Sequence, residues 1–126
     1  MSENFKLYYH LILTIKYRKK IIDKYDSDIK EIINRVALCS NFDVEKMESD
    51  KDHIHILINS KPNISPSLIV KKIKQQTTFE LWKKYPIELK KEFWKKHVFW
   101  NPNYFISTIG SVSKEAIEKY ISNQGK

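Results

Sequence analysis

His53-Ile54-His55 lies in a short apolar run, and Tyr120 and Gln124 stand four residues apart near the C-terminus. Alternate residues of a strand share a face, so a strand at this position sets the two imidazoles side by side and sends Ile54 and Ile56 into the core. Residues i and i+4 of a helix also share a face, which brings Tyr120 and Gln124 together. Two imidazoles and one amide oxygen form a mixed nitrogen and oxygen donor set for a divalent metal, with no protein negative charge and with coordination positions left open. A metal held this way keeps its double positive charge for an anionic group such as a phosphodiester. A tyrosine beside it suits a phosphodiester that is stored rather than hydrolysed, because a phosphotyrosine keeps the bond energy for a later joining step. The phenol, with an ordinary pKa of about 10, must lose its proton to a base that the sequence does not name. Each residue taken singly also has a plainer reading. The histidines suit a surface, Tyr120 a ring packed beside Ile117 and Ile121, and Gln124 an exposed amide in the last turn.

The elements that must carry these side chains are legible in the spacing. Leu7 to Tyr17 mixes β-branched and aromatic residues without a breaker and reads as a strand, closed by Lys16-Tyr17-Arg18-Lys19-Lys20. Asp26 or Ser27 caps a helix whose buried face is Ile29, Ile32, Ile33, Val36 and Ala37, with Asn41 as its stop. Phe42 to Met47 is a second strand, turned by Glu48 to Lys51 into the histidine strand Asp52 to Asn59 as an antiparallel hairpin. Ser65-Pro66 opens a helix, a capping hydroxyl followed by proline at the first helical position, and the helix runs to about Lys84. Ile69, Ile73, Thr77 and Leu81 form its inward row, while Lys71, Lys74 and Thr78 lie on another face with Gln75 beside them. Asn101-Pro102-Asn103 reads as a turn before a strand from Tyr104 to Ile109 that Gly110 ends. Ser111 or Ser113 caps the last helix, which has Glu115 in its first turn and carries Tyr120 and Gln124. This order contains a β-α-β-β-α-β unit. The expected fold is α+β, an antiparallel sheet with two helices on one face and the final helix appended.

Composition bounds the function classes. The chain of 126 residues is expected to be one domain, 41% hydrophobic and 30% charged, with no run approaching the ~20 apolar residues of a membrane span. Met1 to Lys6 carries no apolar core or cleavage site of an export signal, so the expected location is the cytoplasm. The single cysteine, Cys39, excludes an internal disulfide and a cysteine zinc cluster, and its place in a helical pattern predicts inert packing. A net charge of +8 makes nucleic acid the first partner to consider, although a lysine-rich surface also serves solubility.

Asp52-His53-Ile54-His55, Lys16-Tyr17-Arg18, the run from Phe99 to Phe105 leading to Thr108-Ile109-Gly110, and Tyr120-Ile121-Ser122-Asn123-Gln124 resemble the single-tyrosine HUH transposases of the smallest bacterial and archaeal insertion sequences, of the superfamily that takes in the REP-associated tyrosine transposases. The resemblance spans nearly the whole chain in order and at matching separations. It implies a ferredoxin-like (RRM-like) catalytic domain over residues 1–126, working as a homodimer with a continuous sheet across the interface, at the nucleoid. It further implies His53, His55 and Gln124 as ligands of Mg²⁺ or Mn²⁺ and Tyr120 as nucleophile. The implied reaction cuts single-stranded DNA beside an imperfect hairpin, leaves a 5′-phosphotyrosine and a free 3′-OH, and rejoins strands in DNA transposition. Tyr120 would serve the other subunit's histidine pair. Only Gly125 and Lys126 follow Gln124, where relatives carry a longer tail. Strand alternation aims Asp52 away from the histidine face, as a turn or supporting residue rather than a ligand.

Lys16, Arg18, Lys19, Lys20, Lys71 and Lys74 are the candidates for DNA backbone contacts, and Gln75 and Gln76 for base edges. Trp82, Trp94, Phe99, Trp100 and Tyr104 either stack on unpaired bases or, the commoner fate, fill a core or dimer interface. His10 and His97 lack a partner at metal spacing and read as structural, His97 with DNA nearby because Lys95 and Lys96 adjoin it. Three other readings stand beside the transposase: a domesticated relative acting on chromosomal repeat hairpins, a non-catalytic single-stranded nucleic-acid-binding module on the same scaffold, and a relaxase or replication initiator, proteins that are usually longer.

Overall fold

The computed structural model describes residues 7–109. Strand β1 (Leu7–Ile15) leads through a 3₁₀ turn (Lys16–Arg18) to helix α1 (Ile22–Ser40). Strands β2 (Phe42–Asp50) and β3 (His53–Ser60) form a hairpin, followed by α2 (Pro66–Lys84), α3 (Pro86–Phe93) and β4 (Trp100–Ile109). The sheet order is β2-β3-β1-β4, and every neighbouring pair is antiparallel. β1 and β2 therefore run parallel with β3 between them, the ferredoxin-like arrangement expected from the sequence. The expected final helix, with Tyr120, Gln124 and its caps at Ser111 or Ser113, lies outside the described residues.

One face of the sheet carries the core. Leu11, Leu13 and Ile15 of β1 alternate with residues of the other face, as do Ile54, Ile56 and Ile58 of β3, and all six are buried against α1 and α2. From α1 come Ile29, Ile32, Ile33, Val36 and Ala37, and from α2 Ile69, Ile73, Thr77 and Leu81, the inward rows that helical spacing sets. The helix layer is clamped by polar pairs at its rim. Arg35 grips both carboxylate oxygens of Glu80, and Asp28 accepts from Lys84 Nζ at 2.8 Å and from the Tyr85 hydroxyl.

Several local expectations are corrected. Helix α1 begins at Ile22, ahead of the expected cap at Asp26 or Ser27, with Ile22 N donating to Lys51 O at 3.0 Å. Its end is as read, since Asn41 takes the left-handed conformation (φ 60°) that asparagine tolerates. Ser65 holds the N-cap position of α2, but its hydroxyl pairs with that of Ser67 rather than capping the helix. Cys39 is exposed, because the buried stripe of α1 runs through Val36 and Ala37 and leaves Leu38 and Cys39 to solvent. Asn101-Pro102-Asn103 is not a turn before a strand. It belongs to β4, where the pairing slips between Leu13↔Tyr104 and Ile15↔Trp100, so the extra residues are taken up as a bulge.

A second irregularity positions the site. In β2 the pairing shifts between Val44↔Ile58 and Lys46↔Leu57, leaving Glu45 as an extra residue. Val44 and Met47 thus both pack on the core, and Glu48 and Asp50 come to lie opposite His55 and His53.

Candidate active site

His53 and His55 occupy the start of β3, a central strand, on the face away from the helices, with ring centroids 5.0 Å apart and planes at 76°. The strand alternation expected from the sequence puts them there: Ile54 and Ile56 are fully buried in the core between and beyond them. His55 is buried and His53 half-buried.

Each imidazole is held through Nδ1. Asp52 Oδ1 lies 2.9 Å from His53 Nδ1, and His10 Nε2 lies 2.9 Å from His55 Nδ1. In the tautomers that leave both Nε2 lone pairs available, His53 donates from Nδ1 to the carboxylate and His55 donates from Nδ1 to His10. Asp52 is fixed in turn. Its Oδ2 accepts from Arg18 Nε at 3.0 Å, and its backbone oxygen accepts from Ile15 N at 2.8 Å. Burial pushes the Asp52 carboxyl up, but its hydrogen bonds to His53 and Arg18 and their charges outweigh that and hold it below the usual carboxylate range.

Electrostatics keep the deeper imidazoles neutral. Burial, then the neighbouring His55, lowers the His10 pKa to about 4. Burial, then His53, lowers that of His55, while Glu48 and Asp50 across the strand pull weakly the other way. Neutral imidazole is the form that ligates metal. Among the described residues no three His, Cys, Asp or Glu side chains come together as a metal site. The two anchored imidazoles still fit a divalent cation by their chemistry, with further ligands to come from elsewhere, as the sequence reading assigns to Gln124.

The basic candidates separate into two groups. Thr14 of β1 pairs with His53, so the turn Lys16–Arg18 that follows β1 emerges at the histidine end of the sheet, and Arg18 touches the site through Asp52. Arg18 and Lys20 are exposed, Lys16 and Lys19 half-buried. Lys71 and Gln75 are exposed on α2, which packs on the opposite face of the sheet from the histidines. Lys74 turns inward, donating to the backbone oxygens of Asn101 at 2.9 Å and Pro102 at 3.2 Å, and burial together with Lys16 lowers its pKa.

The aromatic candidates divide too. Trp82, Phe99 and Trp100 are buried, the indoles of Trp82 and Trp100 donating to Val98 O and Thr77 Oγ1. Trp94 and Tyr104 are exposed. His97 stacks on Trp82, with centroids 4.2 Å apart. Sequence reasoning missed His10, because its contact with His55 depends on a pairing register that spacing along one strand does not reveal. No helix among the described residues is long and apolar enough to cross a membrane.

A β-α-β-β-α-β chain with this strand order and a histidine pair anchored on a central strand defines a ferredoxin-like protein of the two-histidine class. The chain belongs to the family described as Transposase IS200 like, whose model matches residues 3–124. It is 32% identical to the ISDra2 transposase TnpA of Deinococcus radiodurans over 121 residues, 95% of this chain and 85% of that protein. It is 25% identical to the transposase for insertion sequence element IS200 of Salmonella typhimurium, over 92% of this chain and 75% of the relative. A crystal structure of a transposase from Deinococcus radiodurans R1 superposes with a TM-score of 0.75 at 29% identity, covering 95% of this chain and 92% of the other. The fold is also shared with a REP-associated tyrosine transposase bound to a REP hairpin, at a TM-score of 0.66 and 12% identity over 91% of this chain and 62% of that one.

Proposed function

We propose that this transposase is a single catalytic domain that cleaves and rejoins single-stranded DNA at hairpin-marked ends of an insertion sequence, through a covalent bond to Tyr120. The observation that carries the proposal is the anchoring of both Nδ1 atoms of the histidine pair, by Asp52 and by His10, with the two rings side by side on one strand. His53, His55 and Gln124 would hold Mg²⁺ or Mn²⁺, which when bound supplies polarisation of the scissile phosphate. Asp52 and His10 orient the imidazoles. Tyr120 Oη attacks phosphorus, its proton passing to solvent or a base, and the bond to the 3′-oxygen of the upstream nucleotide breaks. The products are a 5′-phosphotyrosine and a 3′-OH. Attack by a 3′-OH on the phosphotyrosine forms the new strand and returns the phenol, so no nucleotide cofactor is consumed.

Binding of a DNA hairpin is supported by the basic turn at the histidine end of the sheet and by the fold shared with the hairpin-bound relative. A homodimer is supported by the edges of β2 and β4, each a ready template for a further strand, and by the exposed Tyr104 and Phe105 on β4. The test is incubation with labelled single-stranded DNA from both borders of the gene, with Mn²⁺ or EDTA, using native protein and the His53→Ala and His55→Ala variants. A protein–DNA adduct on a denaturing gel that needs both metal and histidines supports the proposal. Hairpin binding without any adduct favours the non-catalytic binder.

A further inference from the structure

Two exposed aromatic rings meet beside the candidate site. Tyr17 is 57% exposed and Trp94 64%, and their rings touch edge to face with centroids 6.0 Å apart. The buried Phe93 supports Tyr17 from below, at 6.4 Å and 29°. Leaving two large rings in water forfeits the hydrophobic stabilisation that Trp82, Phe93, Phe99 and Trp100 obtain by burial.

The backbone makes the exposure harder to dismiss. Five described non-glycine residues have positive φ, and three of them are Tyr17 (61°), Arg18 (51°) and Trp94 (59°). Trp94 combines its φ with a ψ of −129°, a region that bulky residues avoid. Strained conformations at residues whose side chains stay exposed motivate a search for a function there. The strain is held by Lys16 N donating to Phe99 O at 2.9 Å and Trp94 N donating to Lys90 O at 2.8 Å.

Cations surround the rings. Lys16 Nζ lies 5.3 Å from the Tyr17 centroid, and Lys19 Nζ, which also pairs with Glu92, lies 5.9 Å from that of Trp94. Tyr17, Phe93, Trp94, Lys90, Lys95 and Lys96 line an open cleft of about 530 Å³. A second copy of this chain seated symmetrically would bring the same lysines against their own kind. An occupant with flat rings and regularly spaced negative charge meets both features.

We propose that Tyr17 and Trp94 form a stacking platform for an unpaired base of single-stranded DNA, with the surrounding lysines taking the phosphates on either side. The platform rests on the single-strand reading of the function and deepens it. Arg18, next to Tyr17, is tied through Asp52 to His53, so a strand stacked there enters beside the histidine pair.

The test is fluorescence anisotropy of labelled oligothymidylate and of a blunt duplex, in EDTA so that no cleavage intervenes, with the full chain and its Trp94→Ala, Tyr17→Ala and Trp94→Phe variants. Exposed positions tolerate these changes, and Trp94→Phe keeps a stacking ring. The expected result is a loss of roughly tenfold in oligothymidylate affinity for Trp94→Ala and Tyr17→Ala, near-native affinity for Trp94→Phe, and unchanged duplex binding. Unchanged oligothymidylate affinity in both alanine variants overturns the platform, as does an equal loss for duplex and single strand. Failure of the transferase reading looks different: native protein then binds oligothymidylate through Trp94 but forms no adduct with metal.

Discussion

His10 of β1 and His55 of β3 stack at 5.1 Å between centroids and share a hydrogen bond of 2.9 Å between Nε2 of the first and Nδ1 of the second. The contact is diagonal across the ladder, since His10 pairs with Leu57 and His55 with Ile12. A residue without metal-ligand spacing thus holds the ring of one with it.

His10→Ala is therefore expected to raise the Mn²⁺ concentration needed for half-maximal adduct formation by about 10–100-fold, the usual range for a lost partner of a ligating histidine. Affinity for the DNA strand should stay native. Adduct yield plotted against metal concentration checks this, and an unchanged midpoint would mean that β3 alone orients His55.

Acid should loosen the helix layer. The hydrogen bond from Lys84, followed by that from Tyr85, holds Asp28 below the usual carboxylate range, and Arg35 does the same for Glu80. Groups with depressed folded pKa values contribute stability that is complete above their unfolded values of about 4 and is lost as pH falls through the folded ones. Thermal unfolding midpoints should fall below pH of about 4, and less steeply in Asp28→Asn. A midpoint that rises on acidification would reverse the sign of this linkage.

Salt separates the two groups of lysines. For single-stranded DNA, log K should fall with log salt by about 0.7 for each phosphate neutralised. Lys16→Ala and Lys19→Ala, at the histidine end, should each reduce the slope by about that amount. Lys71→Ala, on the far side of the sheet, should leave it native. Equal changes from all three would place DNA on the helix layer as well.

Cys39 should react with a thiol reagent in the native protein without loss of DNA cleavage, because it faces solvent on α1. Ellman titration under native conditions should find the full thiol. Reaction only after denaturation would restore the buried placement expected from sequence.

The contrast at Cys39 shows what sequence could and could not say. Helical spacing identified the buried stripe from Ile29 to Ala37 correctly, but Cys39 sits just off it, and a neighbour such as Leu38 is apolar without being buried. The histidine face was legible because alternation within a single strand suffices to define it. His10, Glu48 and Asp50 were not, since their approach depends on cross-strand register and on the bulge at Glu45, neither of which leaves a local signal. The Asn101-Pro102-Asn103 run carried real turn chemistry, yet pairing of β4 with β1 on both sides of it absorbed the irregularity within the strand. Exposure of Trp94 alongside burial of Trp82 was beyond composition, because each follows an apolar residue and precedes two lysines in the chain.

The most direct test of the central claim is to react native protein and Tyr120→Phe with a labelled hairpin-flanked single strand in Mn²⁺, and to map the adduct by peptide mass spectrometry. The expected result is a nucleotide linked to the peptide that contains Tyr120, absent from Tyr120→Phe, which keeps its DNA affinity. An adduct that persists in Tyr120→Phe, or that maps to another residue, would contradict Tyr120 as the nucleophile.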